Sequence, residues 1–129
     1  MPTIAEVMRS EFIEVAPEDT LGEVADRMNA LNVGAVVVKD FGRLIGILTE
    51  RDLLKAMAAR VHTSEARVRQ WMTENPITAS ADTDVEEAAR VMLENGFRHL
   101  PVLDGNGQVA GVVSLRRVVG ATQPARDPA

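Results

Sequence analysis

The sequence predicts an α/β fold built from two pseudo-symmetric β-α-β-β-α units. Three observations carry that prediction. The chain repeats itself: residues 8–40 lie over residues 72–104 at a constant offset of 64, with Met8 on Met72, Ile13 on Ile77, Glu23 on Glu87, Met28 on Met92 and Asp40 on Asp104. After one inserted residue the match resumes at an offset of 65, with Gly46 on Gly111, Thr49 on Ser114 and Arg51 on Arg116. Within each copy, apolar residues at helical spacing alternate with β-rich runs that flank turn residues.

Each copy opens on a short extended segment, Phe12–Val15 or Pro76–Ala79. A helix start follows. Thr20 can cap and Glu23 can reach back, a capping box; Asp84 and Glu87 are expected to do the same in copy two. Leu21, Val24, Ala25, Met28 and Leu31 then recur at helical spacing, as do Val85, Ala88, Ala89 and Met92. Next come two hairpins. Ala35–Val38 and Leu44–Leu48 flank Asp40-Phe41-Gly42; Leu100–Leu103 and Val109–Val113 flank Asp104-Gly105-Asn106-Gly107. A second helix begins at Thr49 and at Ser114. The first runs through Leu53, Leu54, Met57 and Ala58; the second is expected to stop at Gly120, with Pro124 forbidding resumption. The organisation is therefore a first repeat over 1–60, a linker over 61–71, a second repeat over 72–120 and a tail over 121–129 expected to be disordered. A single unit cannot bury both faces of its small sheet, so the two should pack together about a pseudo-two-fold axis.

Composition narrows function. At 129 residues, with 46% hydrophobic and 26% charged residues, the chain can bury a core of ordinary size. Its net charge is −5, and it has no Tyr, one Trp and three Phe. Nucleic-acid binding needs a basic face, and aromatic platforms for single strands, so nucleic acid is not expected as a partner. The absence of Cys removes disulfides, thiolate metal sites and cysteine nucleophiles. No apolar run reaches the ~20 residues of a membrane span, and the N-terminus shows no basic segment followed by an apolar stretch. A cytoplasmic protein with no membrane association is expected. No nucleophile elbow, Walker loop or metal-binding His spacing is present, so the chain is not read as an enzyme and no catalytic or metal-binding residue is assigned.

The chemistry concentrates where strand gives way to helix, in Gly46-x-x-Thr49-x-x-Asp52. The first N–H groups of a helix favour an anion. A Thr hydroxyl can join them on a phosphate or ribose oxygen, and Asp52, an acceptor-only carboxylate, can take both hydroxyls of a vicinal diol. Gly46 permits close approach of a ligand or of a strand. The same spacing is also a capping box that needs no ligand. In copy two Ser114 keeps the hydroxyl, but Arg117 stands where Asp52 stood. Arg cannot accept hydroxyl protons, so it either pairs with phosphate or is a solvated surface residue.

Taken together, Val33-Gly34-Ala35-Val36-Val37-Val38, Gly46 through Leu54, Met72 through Thr78 and Arg98 through Asp104 resemble a tandem pair of CBS domains, or Bateman module, over residues 4–119. The resemblance implies a regulatory module that senses adenosine-containing ligands in a cleft between the repeats and modulates a partner protein, here separate and unidentified. It implies that Thr49 and Asp52 hold phosphate or ribose. It places an adenine slot at Ile13, Val15, Val33, Gly34 and Ala35 in copy one and at Ile77, Thr78, Phe97 and His99 in copy two, with Arg98 and His99 near phosphates and Ser114 and Arg117 at the second helix start. Each apolar residue among them can equally be core, His99 can be a packed side chain, and Trp71 is read as a packing residue. The implied ligand is AMP, ADP or ATP, with NAD or S-adenosylmethionine as lesser alternatives. No cofactor is required. The excess apolar surface of the Thr49 helix predicts a homodimer. The competing reading is a dimerisation scaffold with no nucleotide ligand.

Overall fold

A computed structural model describes residues 2–122. The chain divides into two compact units: residues Glu11–Ile77 form one, and Met1–Ser10 with Thr78–Ala129 form the other. The unit of Glu11–Ile77 holds β1 (Glu14–Val15), α2 (Leu21–Leu31), β2 (Ala35–Asp40), β3 (Arg43–Thr49), α3 (Glu50–Ala58), α4 (Val68–Trp71) and β4 (Thr73–Glu74). Its partner unit holds α1 (Ile4–Val7), β5 (Ala79–Ser80), α5 (Val85–Asn95), β6 (His99–Leu103), β7 (Val109–Ser114) and α6 (Leu115–Thr122).

The expected hairpins form, in matching register. β2 pairs antiparallel with β3, setting Ala35 opposite Thr49 and Val38 opposite Gly46. β6 pairs with β7, setting His99 opposite Ser114 and Val102 opposite Gly111. The opening strands β1 and β5 are two residues long and lie parallel to β2 and β6. Val36, Val37, Val38 and Leu48 are buried in the first unit, and Leu100, Val102 and Val113 in the second. α2 lays Leu21, Val24 and Met28 on the first core; α5 lays Val85, Ala88 and Met92 on the second. Fully burying each such side chain stabilises by about 1.5–3 kcal/mol.

Each repeat is completed by the segment that leads into the other. The leading segment of residues 2–10 belongs to the unit of the second repeat, and its homologue, residues 66–74, to the unit of the first. They dock through equivalent bonds. Ile4 N–H donates to Thr83 O (2.8 Å) and Ala5 N–H to Ala81 O (3.0 Å); Val68 N–H donates to Asp19 O (2.9 Å) and Arg69 N–H to Pro17 O (2.8 Å). Their carbonyls cap the long helices: Val85 N–H donates to Pro2 O (3.1 Å) and Leu21 N–H to Ala66 O (2.9 Å). Ile4 and Val68 are wholly buried. Residues 61–71 are thus not a bare connector. They carry α4 and contribute Ala66 and Val68 to the first core, against which Trp71 packs.

These segments explain two glycines. On Gly46 a Cβ would lie 2.7 Å from Met72 Sδ and 2.9 Å from Thr73 O; on Gly111 it would lie 2.7 Å from Arg9 O and 2.9 Å from Met8 Sδ. β4 pairs with β3 across Gly46–Ile47, and Arg9 bridges Val112 at the equivalent place. The room at Gly46 is taken by a strand and a methionine, not left open for a ligand.

Three local expectations are corrected. Asp84 stands at the N-cap of α5 but its side chain accepts no capping bond; the Pro2 carbonyl answers the first N–H instead. Glu23 turns its carboxylate to the Thr20 hydroxyl (2.8 Å) rather than to the Thr20 amide, while Thr20 Oγ1 accepts from Glu23 N–H (3.2 Å). Gly120 does not stop the last helix: α6 passes through it to Thr122, because Val118 is buried and Leu115 and Ala121 pack on the second core. A helical glycine costs about 1 kcal/mol, which that burial offsets. Of the tail expected to be disordered, Ala121 and Thr122 are helical, and 123–129 lie outside the described residues.

Candidate functional site

The strand-to-helix corner of the first unit gathers five of the expected residues. Glu50 N–H donates to Gly34 O (2.9 Å), which makes the opposed Ala35 and Thr49 a pair without mutual ladder bonds. The Thr49 N–H therefore points off the ladder. It donates to Asp52 Oδ2 (2.9 Å), and the Thr49 hydroxyl donates to the same oxygen (3.1 Å). Asp52 N–H donates back to Thr49 Oγ1 (3.3 Å). The capping box is fully made, and it is the local reason that α3 begins here.

Asp52 is only 8% exposed, unusual for a carboxylate. Both bonds it accepts fall on Oδ2. No hydrogen bond among the described residues falls on Oδ1. Among the described residues no side-chain polar atom sealed from solvent lacks a partner, so Oδ1 opens to the surface from a recessed position. Gly34 and Val33 beside it are half-buried. Ile13, Val15 and Ala35 are 2%, 4% and 5% exposed, and the first two belong to the core cluster. Ile77, 40% exposed, ends the same unit, at the opposite end of its sequence from Ile13.

The second unit repeats the corner with different chemistry. Leu115 N–H donates to Arg98 O (2.8 Å), so His99 and Ser114 form the equivalent pair and the Ser114 N–H likewise points off the ladder. Arg117 N–H donates to Ser114 Oγ (3.3 Å), but no carboxylate answers from position 117. Half the box is missing. Arg98, Arg116 and Arg117 are exposed, Thr78 and His99 half-buried, and Phe97 packs on the second core. The structure thus brings Arg98, His99, Ser114 and Arg117 to one corner. Thr78 stands at the entry to β5, whose first residue, Ala79, lies opposite Val102 of β6. The docking of the leading segments on each sheet shows in the repeat pattern through Met8 and Met72, which lie against Gly111 and Gly46.

Charge pairs elsewhere are at the surface. Arg69 meets Glu18 (2.8 Å) and Asp40 (3.8 Å), and the hydrogen bond to Glu18 is the main cause that pushes its pKa above the ordinary value. Arg90 bridges Glu87 and Glu94 along α5. Such exposed pairs are screened by solvent and contribute little to stability. No helix among the described residues is long and apolar enough to cross a membrane.

Comparison with known proteins agrees with this architecture. The family model for the CBS domain matches twice, at residues 4–59 and 68–123. A 17.7 kDa protein of Acidianus ambivalens is 37% identical over 119 residues, which span 92% of this chain and 71% of that protein. Other relatives are longer: the chain spans 61% of a 34%-identical protein of Methanopyrus kandleri. Among solved structures, the CBS domain pair of protein MJ0100, in complex with 5′-methylthioadenosine and S-adenosyl-L-methionine, superposes with a TM-score of 0.82 at 26% identity, covering 95% of this chain and 99% of that one. CBSX2 of Arabidopsis thaliana, in complex with AMP, gives 0.75 at 27% identity, covering 94% and 96%. The two matched repeats, each an α/β unit with the same strand-to-helix corner, make this chain a member of the CBS domain family, carrying a tandem pair.

Proposed function

We propose that the chain is a cytoplasmic regulatory module that binds an adenosine-containing ligand, of the AMP, ADP or ATP kind, and changes its association with a partner protein when the ligand is bound. The observation that carries this reading is the recessed Asp52 carboxylate beside Thr49 in the first repeat, with one oxygen open to solvent. An acceptor-only group at that depth suits the hydroxyls of a ribose. Two structural neighbours hold adenosine-containing molecules, AMP in one and methylthioadenosine with S-adenosyl-L-methionine in the other. In the second repeat, Arg98 and Arg117 stand at the corner with Ser114 and favour phosphate groups. Gly34 and Val33 in copy one, and His99 and Phe97 in copy two, are the residues we assign to adenine contact. Ile13, Val15 and Ala35 shape that slot from the core side.

The chain also pairs with itself in this reading. α3 leaves Leu54 64% and Met57 71% exposed, one turn apart on one face, and such a face marks an interface. A thermal-shift screen with AMP, ADP, ATP, NAD and S-adenosylmethionine tests the ligand claim. A ligand at a hundred times its Kd stabilises the folded state by about 2.7 kcal/mol. A shift with at least one of them supports the reading; no shift with any, at millimolar concentration, favours the scaffold alternative.

A further inference from the structure

Residues 2–10 are joined to their dock only through the other unit. They belong with Thr78–Ala129, and the whole of Glu11–Ile77 intervenes. The homologous residues 66–74 lie inside the unit on which they pack, and they are tied to it more firmly. β4 pairs with β3 at two residues, and Arg67 and Arg69 reach Glu18 with bonds of 3.0 and 2.8 Å. The segment of residues 2–10 meets β7 at a single bridge, where Arg9 N–H donates to Val112 O (2.8 Å) and Val112 N–H to Arg9 O (3.0 Å). Its other holds are the wholly buried Ile4, Met8 against Gly111, and the main-chain bonds to Ala81, Thr83 and Val85. Ser10 and Glu11 are exposed, and no hydrogen bond or ion pair among the described residues fixes them or Phe12.

A hinge of that kind leaves the dock indifferent to which chain fills it. A segment from a second copy would make the same bonds and bury the same Ile4, so the contact energies cancel. Only the tether separates the two arrangements. A short tether holds its segment at an effective concentration on the order of a millimolar. An empty dock is disfavoured, because it would open the second core and leave Val112 on a bare strand edge. We propose that residues 2–10 of one chain swap onto the second unit of another copy, which returns its own. The unit that carries Arg98, Ser114 and Arg117 is then completed by a second copy of the chain. This swap is separate from any pairing of α3 faces and does not rest on the adenosine reading.

The chain has no Cys, so a disulfide can report the swap. Arg9 and Val112 exchange both main-chain bonds, which sets their Cα atoms about 5.5 Å apart, within disulfide reach. Full-length Arg9→Cys and Val112→Cys chains are mixed, unfolded in urea, refolded together and oxidised. Non-reducing electrophoresis and mass spectrometry then count the covalent heterodimer. Its share should rise about tenfold for each tenfold rise in concentration, up to the effective concentration of the tethered segment. Arg9→Cys mixed with Gly105→Cys measures random collision, since nothing lies within 4 Å of a Cβ at Gly105. A chain carrying both Arg9→Cys and Val112→Cys should close on itself in dilute solution, which shows that the pair is in reach and the variant folds. If that chain closes but the mixed chains give no more heterodimer than the Gly105→Cys control near a millimolar, the swap is overturned. If it does not close, the docked segment is wrongly placed and the proposal falls with it.

Discussion

Replacing Gly46 with Ala puts one methyl group where the structure has no space. Its Cβ would lie 2.7 Å from Met72 Sδ, 2.9 Å from Thr73 O and 3.2 Å from Met72 Cγ. The methionine sulfur can swing aside, but Thr73 O belongs to β4, which is bonded to β3 at that residue pair. Either β4 shifts or β3 bulges. Overpacking of this kind costs about 1–3 kcal/mol. For a unit of this size, that lowers Tm by about 4–24 °C. Gly111→Ala should act alike, since its Cβ would meet Arg9 O at 2.7 Å. Gly105→Ala is the control: nothing lies within 4 Å, its φ is not positive, and removing a glycine from a compatible turn stabilises by about 0.4–1 kcal/mol. Thermal and urea unfolding of the three variants, followed by circular dichroism, checks the set. If Gly46→Ala melted with wild type but lost ligand binding, the glycine would be kept for a ligand, and the docked segment would not be the reason for it.

Phe41 is 97% exposed and sits at φ +51 in the β2–β3 turn, next to Gly42 at φ +77; Phe41→Asn should raise Tm by several degrees, because Asn tolerates that conformation, and a lower Tm would show that the ring has a structural role. Ile4→Ala should cost about 2–5 kcal/mol, and amide exchange should rise across residues 78–122 more than across 11–77, since Ile4 lies in the second core; the reverse pattern would refute the exchange of leading segments. Leu54→Glu with Met57→Glu should convert a dimer to the 14.0 kDa monomer in sedimentation, whereas a wild type that is already monomeric at tens of micromolar would rule the dimer out. Replacing Arg98 and Arg117 with Ala should flatten any rise in affinity from adenosine to AMP to ATP, and raised salt should flatten it in wild type.

Local signals in the sequence are reliable where the interaction is itself local. Thr20 with Glu23 and Thr49 with Asp52 mark α2 and α3 because a cap spans three residues, and Asp40-Phe41-Gly42 marks its hairpin because the turn decides the pairing. The failures all involve distant partners. Asp84 looks like a cap by type, but its side chain makes no capping bond, and the first amide of α5 is met by the Pro2 carbonyl from a distant part of the chain. Gly120 looks like a stop, but its helix is held by burial of Val118 and by packing on α5. α1 and α4 are four residues long, too short for a periodic signal, and each forms because it docks on residues distant in sequence: α1 on Ala81 and Thr83, α4 on Pro17 and Asp19. At the corners, the residue types are legible: Asp52 against Arg117 is a difference in chemistry that needs no coordinates. Which Asp52 oxygen stays open, and that Ile13 and Val15 are deep in the core, are not legible, because burial depends on everything packed around them.

As proposed above, this CBS pair binds an adenosine-containing ligand. Calorimetric titration of the full chain with adenosine, AMP and ATP tests it most directly. Saturable binding of at least one is expected, lost or weakened about tenfold in Asp52→Ala, as follows from removing a charge-assisted hydrogen bond. No saturable heat with any of the three, from a chain that melts cooperatively, would contradict it.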